Sequence, residues 1–437
     1  MVIKIPNNYS CRYLFCLAAY LKKILVTILN KISQAGLSTS YYLKQSGNEH
    51  IILEKAARPA DAWRNGRWDS FTLVTPNWSV KIPGAEYNGD NREGFMPRDE
   101  VVKYFENYID RFQLPVRFNQ NVLSIEPIDH KGYKIETEKD IYEAKNVVAA
   151  TGYEQSPKIP ESARKVSSNI TQLHSSRYKN PASLPDGAVL IVGTGQSGCQ
   201  IAEELYQSGR KVFLCTGSAG RAPRRYRGKD TVEWLYDLGF FNITPDKLPV
   251  PIEHFAPPHV SGSNGGHNLN LHQFSIDGVT LLGHFRSADS DKIYLIPDLY
   301  ENLTKADQFE LNVLKMIDGF IQGSGLNAPA EVIPQMSSGY NQPIIEELNI
   351  TQEGIKTIIW ACGYIFDYSF VKLPVHDKNG FPIQTNGVAN YPGLYFVGMP
   401  WMPSLKSVML SGVGEAAKYI AEKVVERTNQ HKALYAV

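Results

Sequence analysis

Hydrophobic and polar positions alternate between two patterns along the chain. Short apolar runs read as strands: Ile24–Leu29, His50–Glu54, Val116–Phe118, Val122–Ile125, Tyr133–Thr137, Ile141–Ala144 and Lys145–Thr151. Tyr133–Thr137 alternates with a period of two, as a half-buried strand does. Between and after these runs the apolar positions fall at helical spacing. About Leu37 to Gln45 is one such stretch, and Glu100–Arg111, with Val101, Tyr104, Phe105 and Tyr108 on one side, is another. The alternation restarts at Ala188: strand 188–193, helix Gln196–Gln207, strand Lys211–Cys215. A stretch rich in Pro, His and Gly from Pro245 to His267 reads as surface loop. Strands at 278–285 and 292–297, a mainly helical Leu299–Gly323, strands Thr357–Gly363 and Gly393–Gly398, and a helix Gly414–Thr428 complete the pattern. Strands alternating with helices imply parallel sheets and an α/β fold.

The sharpest local signal is Gly193-Thr194-Gly195-Gln196-Ser197-Gly198, between an apolar strand and an apolar-periodic helix. In a dinucleotide-binding turn the first glycine permits the tight bend. The second lets backbone N–H groups reach a pyrophosphate, and the third lets helix and strand pack closely. Gln196 and Ser197 lie in the loop that would face the pyrophosphate. The following strand ends at Cys215, which offers no carboxylate for a ribose 2′-hydroxyl. Arg221, Arg224, Arg225 and Arg227 come soon after. A guanidinium suits a 2′-phosphate, so this turn is expected to bind NADPH, with Arg221, Arg224 and Arg225 as phosphate candidates.

A second, altered copy opens the chain. Gly36 takes the third glycine position and Glu54 follows 54 − 36 = 18 residues later. Glu54 is the acidic ribose anchor that Cys215 is not, which suits a free 2′-hydroxyl such as that of FAD. Lys31 and Ser33 hold the first two glycine positions. One expectation is that the stretch before Gln34 is not the natural start of the chain, and the other that the turn is real and diverged.

Composition changes this picture little. The chain has 437 residues, 43% hydrophobic, with a formal net charge of +1. That is enough for two or three domains, and the charge gives no reason to expect a nucleic acid partner. The five cysteines (Cys11, Cys16, Cys199, Cys215, Cys362) form no CxxC pair, which reads as a reducing compartment. Leu14–Leu21 is apolar, but Lys22 and Lys23 interrupt it well short of the roughly 20 residues a membrane span needs. A cytoplasmic protein without a stable membrane span is expected. His254, His259, His267 and His272 lie in or beside the loop without metal-ligand spacing, so no metal is expected.

Two dinucleotide turns, Ala150-Thr151-Gly152, "WACG" at 360–363 and "PGLYFVGMPW" at 392–401 together resemble the flavin-containing monooxygenase superfamily. That group includes Baeyer–Villiger monooxygenases and bacterial flavoproteins often described as potassium-transport proteins. Within it, "RWDSFTLVTPNW" (67–78), "ITQLHSSRYKNP" (170–181) and "RRYRGKD" (224–230) are similar to flavin-dependent oxidoreductases encoded beside nitrilase genes. The superfamily's linker signature is partly matched: His174 and Tyr178 agree, while Ser168 and Ile170 stand at its Phe and Gly positions.

The resemblance implies two Rossmann-like dinucleotide-binding domains, the NADP domain inserted in the FAD domain. Residues 1–165 would form the first part of the FAD domain, with 1–33 atypical. Residues 166–325 would form the NADP domain with a helical cap, and 326–437 the second FAD part. It implies an FAD- and NADPH-dependent monooxygenase acting with O₂ on a small organic substrate through a flavin hydroperoxide. The alternatives are a flavin-dependent reductase or oxidase, and a non-catalytic dinucleotide-binding protein. Asn77 falls where the superfamily places a catalytic asparagine near the flavin. Trp63, Arg64 and Trp68 would wall the flavin, Gly152 and Gly398 would approach it, and His174 and Tyr178 would link the domains. Self-association is a further expectation.

Overall fold

A computed structural model describes residues 24–128, 132–247 and 258–434. His254, Cys11, Cys16 and the apolar run 14–21 lie outside the described residues. Two sheets organise the chain, a larger mixed one built on a parallel centre and a smaller parallel one. The larger has nine strands. Along its main path the order is Gln384–Thr385, Val388–Ala389, Leu394–Phe396, Ile141–Ala149, Ile24–Asn30, His50–Leu53 and Val116–Arg117. Val122–Ile128 and Gly132–Thr137 extend it as an antiparallel meander from Ile141–Ala149. Ile141–Ala149 is one continuous strand where the sequence suggested two.

Ile24–Asn30, part of the segment expected to be atypical, is central to this sheet. It pairs in parallel with Ile141–Ala149 on one side and His50–Leu53 on the other, with Leu29 opposite both Val148 and Ile52. All three residues are fully buried. Burial on both faces explains why these strands read as continuous apolar runs. The helix Gln34–Gln45 follows and packs on the long final helix Val413–Leu434.

The smaller sheet has five parallel strands in the order Thr171–His174, Ile355–Trp360, Ala188–Val192, Val212–Cys215, Thr280–Leu282. Here the structure corrects the expected boundary at 325. Ile355–Trp360 pairs with Thr171–His174 and Ala188–Val192. Glu347–Asn349 pairs with Lys292–Leu295. The inserted unit therefore keeps its chain to about Trp360. The reason is packing: Ile358, Ile359 and Trp360 have no solvent exposure and fill the core of the smaller sheet. The helix Leu299–Ser324 forms as expected.

The two units are stitched by the segment around Tyr178. Within the inserted unit Tyr178 Oη anchors that segment, donating to Glu204 on the Gln196–Gln207 helix at 2.6 Å. Lys179 Nζ donates to the carbonyls of Asn65 and Arg67. His174 is also buried, its ring nitrogens 2.9 Å from Gly363 O and 3.0 Å from Ser176 Oγ.

Candidate functional site

The second turn has the backbone that its glycines dictate. Gly193 has φ of 111°, and a Cβ there would meet Ala361 O at 2.6 Å. A Cβ on Gly198 would lie 1.9 Å from Gly193 O, so helix and turn touch there. Gly195 caps the helix Gln196–Gln207 and no side chain caps its first N–H groups. A Cβ on Gly195 would meet nothing within 4 Å. An open concavity in front of uncapped helical N–H groups suits an anion, so a dinucleotide pyrophosphate fits. Gln196 turns away: its amide donates to Val260 O at 2.6 Å and accepts from Val260 N at 3.1 Å, which pins the loop after residue 258 to the turn. Ser197 is half-buried at the start of the helix.

The first turn keeps this form with different surfaces. Lys31 takes φ of 88°, a left-handed conformation that favours glycine. A Cβ on Gly36 would lie 2.5 Å from Lys31 O and 3.3 Å from Ala150 Cβ, so the close approach at the third position survives. Ser33 caps the helix: its hydroxyl accepts from Gly36 N at 3.1 Å and donates to Ala150 O at 2.8 Å. Lys31 Nζ donates to Thr151 O at 3.0 Å, and burial lowers its pKa against the opposing pull of Glu54. Glu54, buried, accepts from Ile32 N at 2.7 Å and Ala56 N at 2.8 Å. Gly398 closes on Ala35, where an added Cβ would meet the Ala35 Cβ at 2.5 Å. Gly152 has φ of 70° with open space around it. An ammonium and a hydroxyl replace bare glycine backbone: the Lys31 ammonium keeps protons for a phosphate beyond its bond to Thr151 O, whereas the one Ser33 hydroxyl proton is taken by Ala150 O. With Glu54 behind them the donor set fits an adenine dinucleotide with a free ribose.

The equivalent hydrogen bonds of the two turns place the acid's position in the second turn one residue later than Cys215. Lys31 N donates to Leu53 O, and Gly193 N donates to Cys215 O. Leu53 thus matches Cys215, and Glu54 matches Thr216. The Thr216 hydroxyl donates to Leu282 O at 2.7 Å, so the second site still lacks an acid at this place.

The arginines expected at a 2′-phosphate are engaged elsewhere. Arg221 is buried and pairs with Asp307 and with Glu310 at 2.9 Å. Arg224 is buried, pairs with Asp230 and donates to Val74 O at 2.8 Å. Burial lowers the Arg224 pKa and Asp230 opposes it. Arg225 is exposed and donates to the carbonyls of Gly265 and Gly266. The partners of Arg221 lie 86 and 89 residues away in sequence, so no local pattern exposes them.

Asn77 is buried in a short turn that leads to Lys81, whose N donates to Leu410 O just before the final helix. The Asn77 Nδ2 donates to Asn91 O at 2.9 Å while Oδ1 has no partner. Trp78 beside it packs edge-on against Tyr236 at 5.2 Å, and Tyr236 Oη bonds to Ser411, just before that helix. Val232, Leu235, Phe241, Trp401 and Leu405 continue this apolar seam between the two units. The sequence did not single out this seam, because its parts come from three separated segments. Gln34 Nε2 donates to Val408 O, which ties the first turn to the same region. Arg64 pairs with Glu106 at 2.5 Å and leaves Nε buried without a partner. Trp68 is core, edge-on to Phe71 at 5.1 Å, and Trp63 stacks near Phe105. Among the described residues no group of three His, Cys, Asp or Glu is placed to hold a metal ion. No described helix is long and apolar enough to cross a membrane.

The pyridine nucleotide-disulphide oxidoreductase family model matches residues 34–236, starting just after Ser33. The chain is 33% identical over 395 residues to an uncharacterized CzcO-like oxidoreductase of Geobacillus kaustophilus (strain HTA426), covering 90% of this chain and 96% of that one. A flavin-containing monooxygenase from Stenotrophomonas maltophilia shares the fold with a TM-score of 0.63 at 18% identity, over 92% of this chain and 98% of that one. OTEMO, solved in complex with FAD and NADP, shares it with a TM-score of 0.53 at 15% identity, over 94% and 86% of the two chains.

Proposed function

We propose, for a chain that belongs to the CzcO-like oxidoreductases of the flavin-containing monooxygenase superfamily, that it is an FAD- and NADPH-dependent monooxygenase of a small organic substrate. The observation that carries this reading is the pair of turns at the carboxyl ends of parallel strands in two sheets, the place where such folds bind dinucleotides. FAD belongs to the first turn and NADPH to the second. Bound together they supply hydride transfer and the activation of O₂.

The protein's own residues bind, orient and exclude water. In the first turn Glu54 accepts from the ribose hydroxyls, Lys31 donates to the pyrophosphate while Ser33 holds the start of the helix in place, and Gly36, Gly152 and Gly398 allow close backbone approach. In the second, Gly193 and Gly198 shape the bend, and the N–H groups opened by Gly195, with Ser197, meet the pyrophosphate. The Asn77 Oδ1, buried and unpartnered, accepts a hydrogen bond from the reacting groups and orients them. The seam of Trp78, Tyr236, Phe241 and Trp401 keeps water out between the two units. Arg64 contributes through its buried Nε. Trp63 and Trp68 support the flavin side from the core.

NADPH oxidation and O₂ uptake, followed with and without candidate substrates on the purified flavin-loaded protein, test the reading. Uptake of O₂ coupled to an oxygenated product supports it. NADPH oxidation that yields only hydrogen peroxide or a reduced substrate would move the protein to the reductase or oxidase class.

A further inference from the structure

Three strands of the smaller sheet end side by side. Val192 is paired with Cys215, and Cys215 with Leu282. Beyond these ends the chain continues as Gly193-Thr194, Thr216-Gly217 and Gly283-His284, so these residues share one edge. It is the edge outside which a dinucleotide's adenosine lies in a sheet of this kind.

At this edge the usual readers of the ribose are missing. Thr216 stands in the acid's place with its hydroxyl turned onto Leu282 O. Arg221 and Arg224 are buried in ion pairs. Gly217 leaves a gap. A Cβ built there would lie 3.6 Å from His284 Nε2 and 3.8 Å from Thr194 Oγ1. The His284 ring is held in place: Nδ1 lies 2.6 Å from Asp298 Oδ2, and the backbone N of His284 donates to Asp298 Oδ1 at 2.8 Å. Asn302 Nδ2 lies 3.1 Å from both Asp298 Oδ1 and Thr216 Oγ1, which ties the carboxylate to the strand end. The carboxylate accepts from one ring nitrogen and fixes the direction of the other. Gly217 N donates to Thr194 Oγ1 at 2.9 Å, which leaves the Thr194 hydroxyl proton free to donate outward.

We propose that His284, positioned by Asp298, is the residue that meets the adenosine 2′-phosphate of NADP(H) in the gap beside Gly217, with Thr194 as a second donor. The inference rests on the dinucleotide reading of the second turn and deepens it. With Nδ1 held by Asp298, Nε2 is the ring atom on the Gly217 side and the one that would meet the phosphate. A ribose with only a 2′-hydroxyl offers no charge there, so the contact separates NADP(H) from NAD(H).

Calorimetric titration of the full-length flavoprotein with 2′,5′-ADP, 5′-AMP, NADP⁺ and NAD⁺ tests this, on the unaltered chain and on His284→Ala and Asp298→Asn. His284→Ala is expected to weaken 2′,5′-ADP and NADP⁺ about tenfold or more, the size of a lost charge-assisted hydrogen bond. It should leave 5′-AMP and NAD⁺ within about twofold. Asp298→Asn, which loosens the ring without removing it, is expected to give a smaller loss in the same direction. Equal losses for both nucleotide pairs, a loss confined to NAD⁺, or no change on His284→Ala would overturn the assignment. An unaltered chain that binds none of the four probes would instead overturn the dinucleotide reading itself.

Discussion

The two dinucleotide turns share one backbone and differ in what they present. Both begin at the end of a central parallel strand with a residue in the left-handed region, Lys31 at 88° and Gly193 at 111°. Both bring the third glycine against the first residue's carbonyl, at 2.5 Å and 1.9 Å for an added Cβ. At the middle position they part. Gly195 leaves the helix N-terminus open, whereas the Ser33 hydroxyl already bonds to Gly36 N. The strand ends part as well, with Glu54 in the first and Thr216 in the second. Form is set by the close packing of helix on strand, which a single residue can veto. Surface is set by residues that can change without moving the backbone.

The largest effect should come from breaking the shared form. Gly198→Val drives side-chain atoms into Gly193 O and should cost about 3 kcal/mol, seen as a lower urea midpoint, with NADP⁺ binding lost. A loss of binding without destabilisation would show that Gly198 contacts ligand only. Comparable in size, Asp307→Asn leaves buried Arg221 short of one partner and should cost about 3 kcal/mol. If Arg221 instead served the nucleotide, the same variant would change NADP⁺ affinity and leave stability intact.

Acid should act on this side of the molecule in two stages. Burial, and then the charge of Arg221, push His259 down to about 4 from 6.5. Its proton binds the unfolded chain first, so its contribution to stability is complete above pH 6.5 and is lost as pH falls toward 4. Burial raises the pKa of Asp307, but hydrogen bonds from His272 and Tyr340 and the pairing with Arg221 outweigh it and hold the group at about 2, against 3.8. That contribution is present above pH 3.8 and is lost between there and 2. Denaturant midpoints measured across this range should fall in both windows. His259→Gln should remove the first stage alone, and an unchanged profile would contradict the assignment.

The smallest effect separates the turns most finely. Lys31→Gly relieves the left-handed lysine and should stabilise by about 1 kcal/mol. Gly193→Lys in the second turn should do the reverse and by more, because its Cβ meets Ala361 O.

Much of this was legible from sequence. The strands, the long helices and both turns were found, because buried parallel strands and glycine sterics leave local signals. What escaped depends on contacts across the chain. The Arg221 to Arg225 run looked like a phosphate site, but Asp307, Glu310 and Asp230 take the first two guanidinium groups. The acid's position was assigned to Cys215 because strand length is uncertain by a residue, and only the pairing of Gly193 N with Cys215 O moves it to Thr216. The boundary at 325 failed because the order of strands in a sheet is not written along the chain. His284 carried no motif, since its meaning comes from lying beside Gly217.

The first turn, despite Lys31 and Ser33, is expected to bind FAD. The visible absorption spectrum of the purified full-length protein, released cofactor included, tests it most directly, alongside a Lys31→Gly, Ser33→Gly variant. About one flavin per chain is expected in the unaltered protein. A colourless protein that takes up no added FAD, and turns yellow only when both glycines are restored, would contradict it.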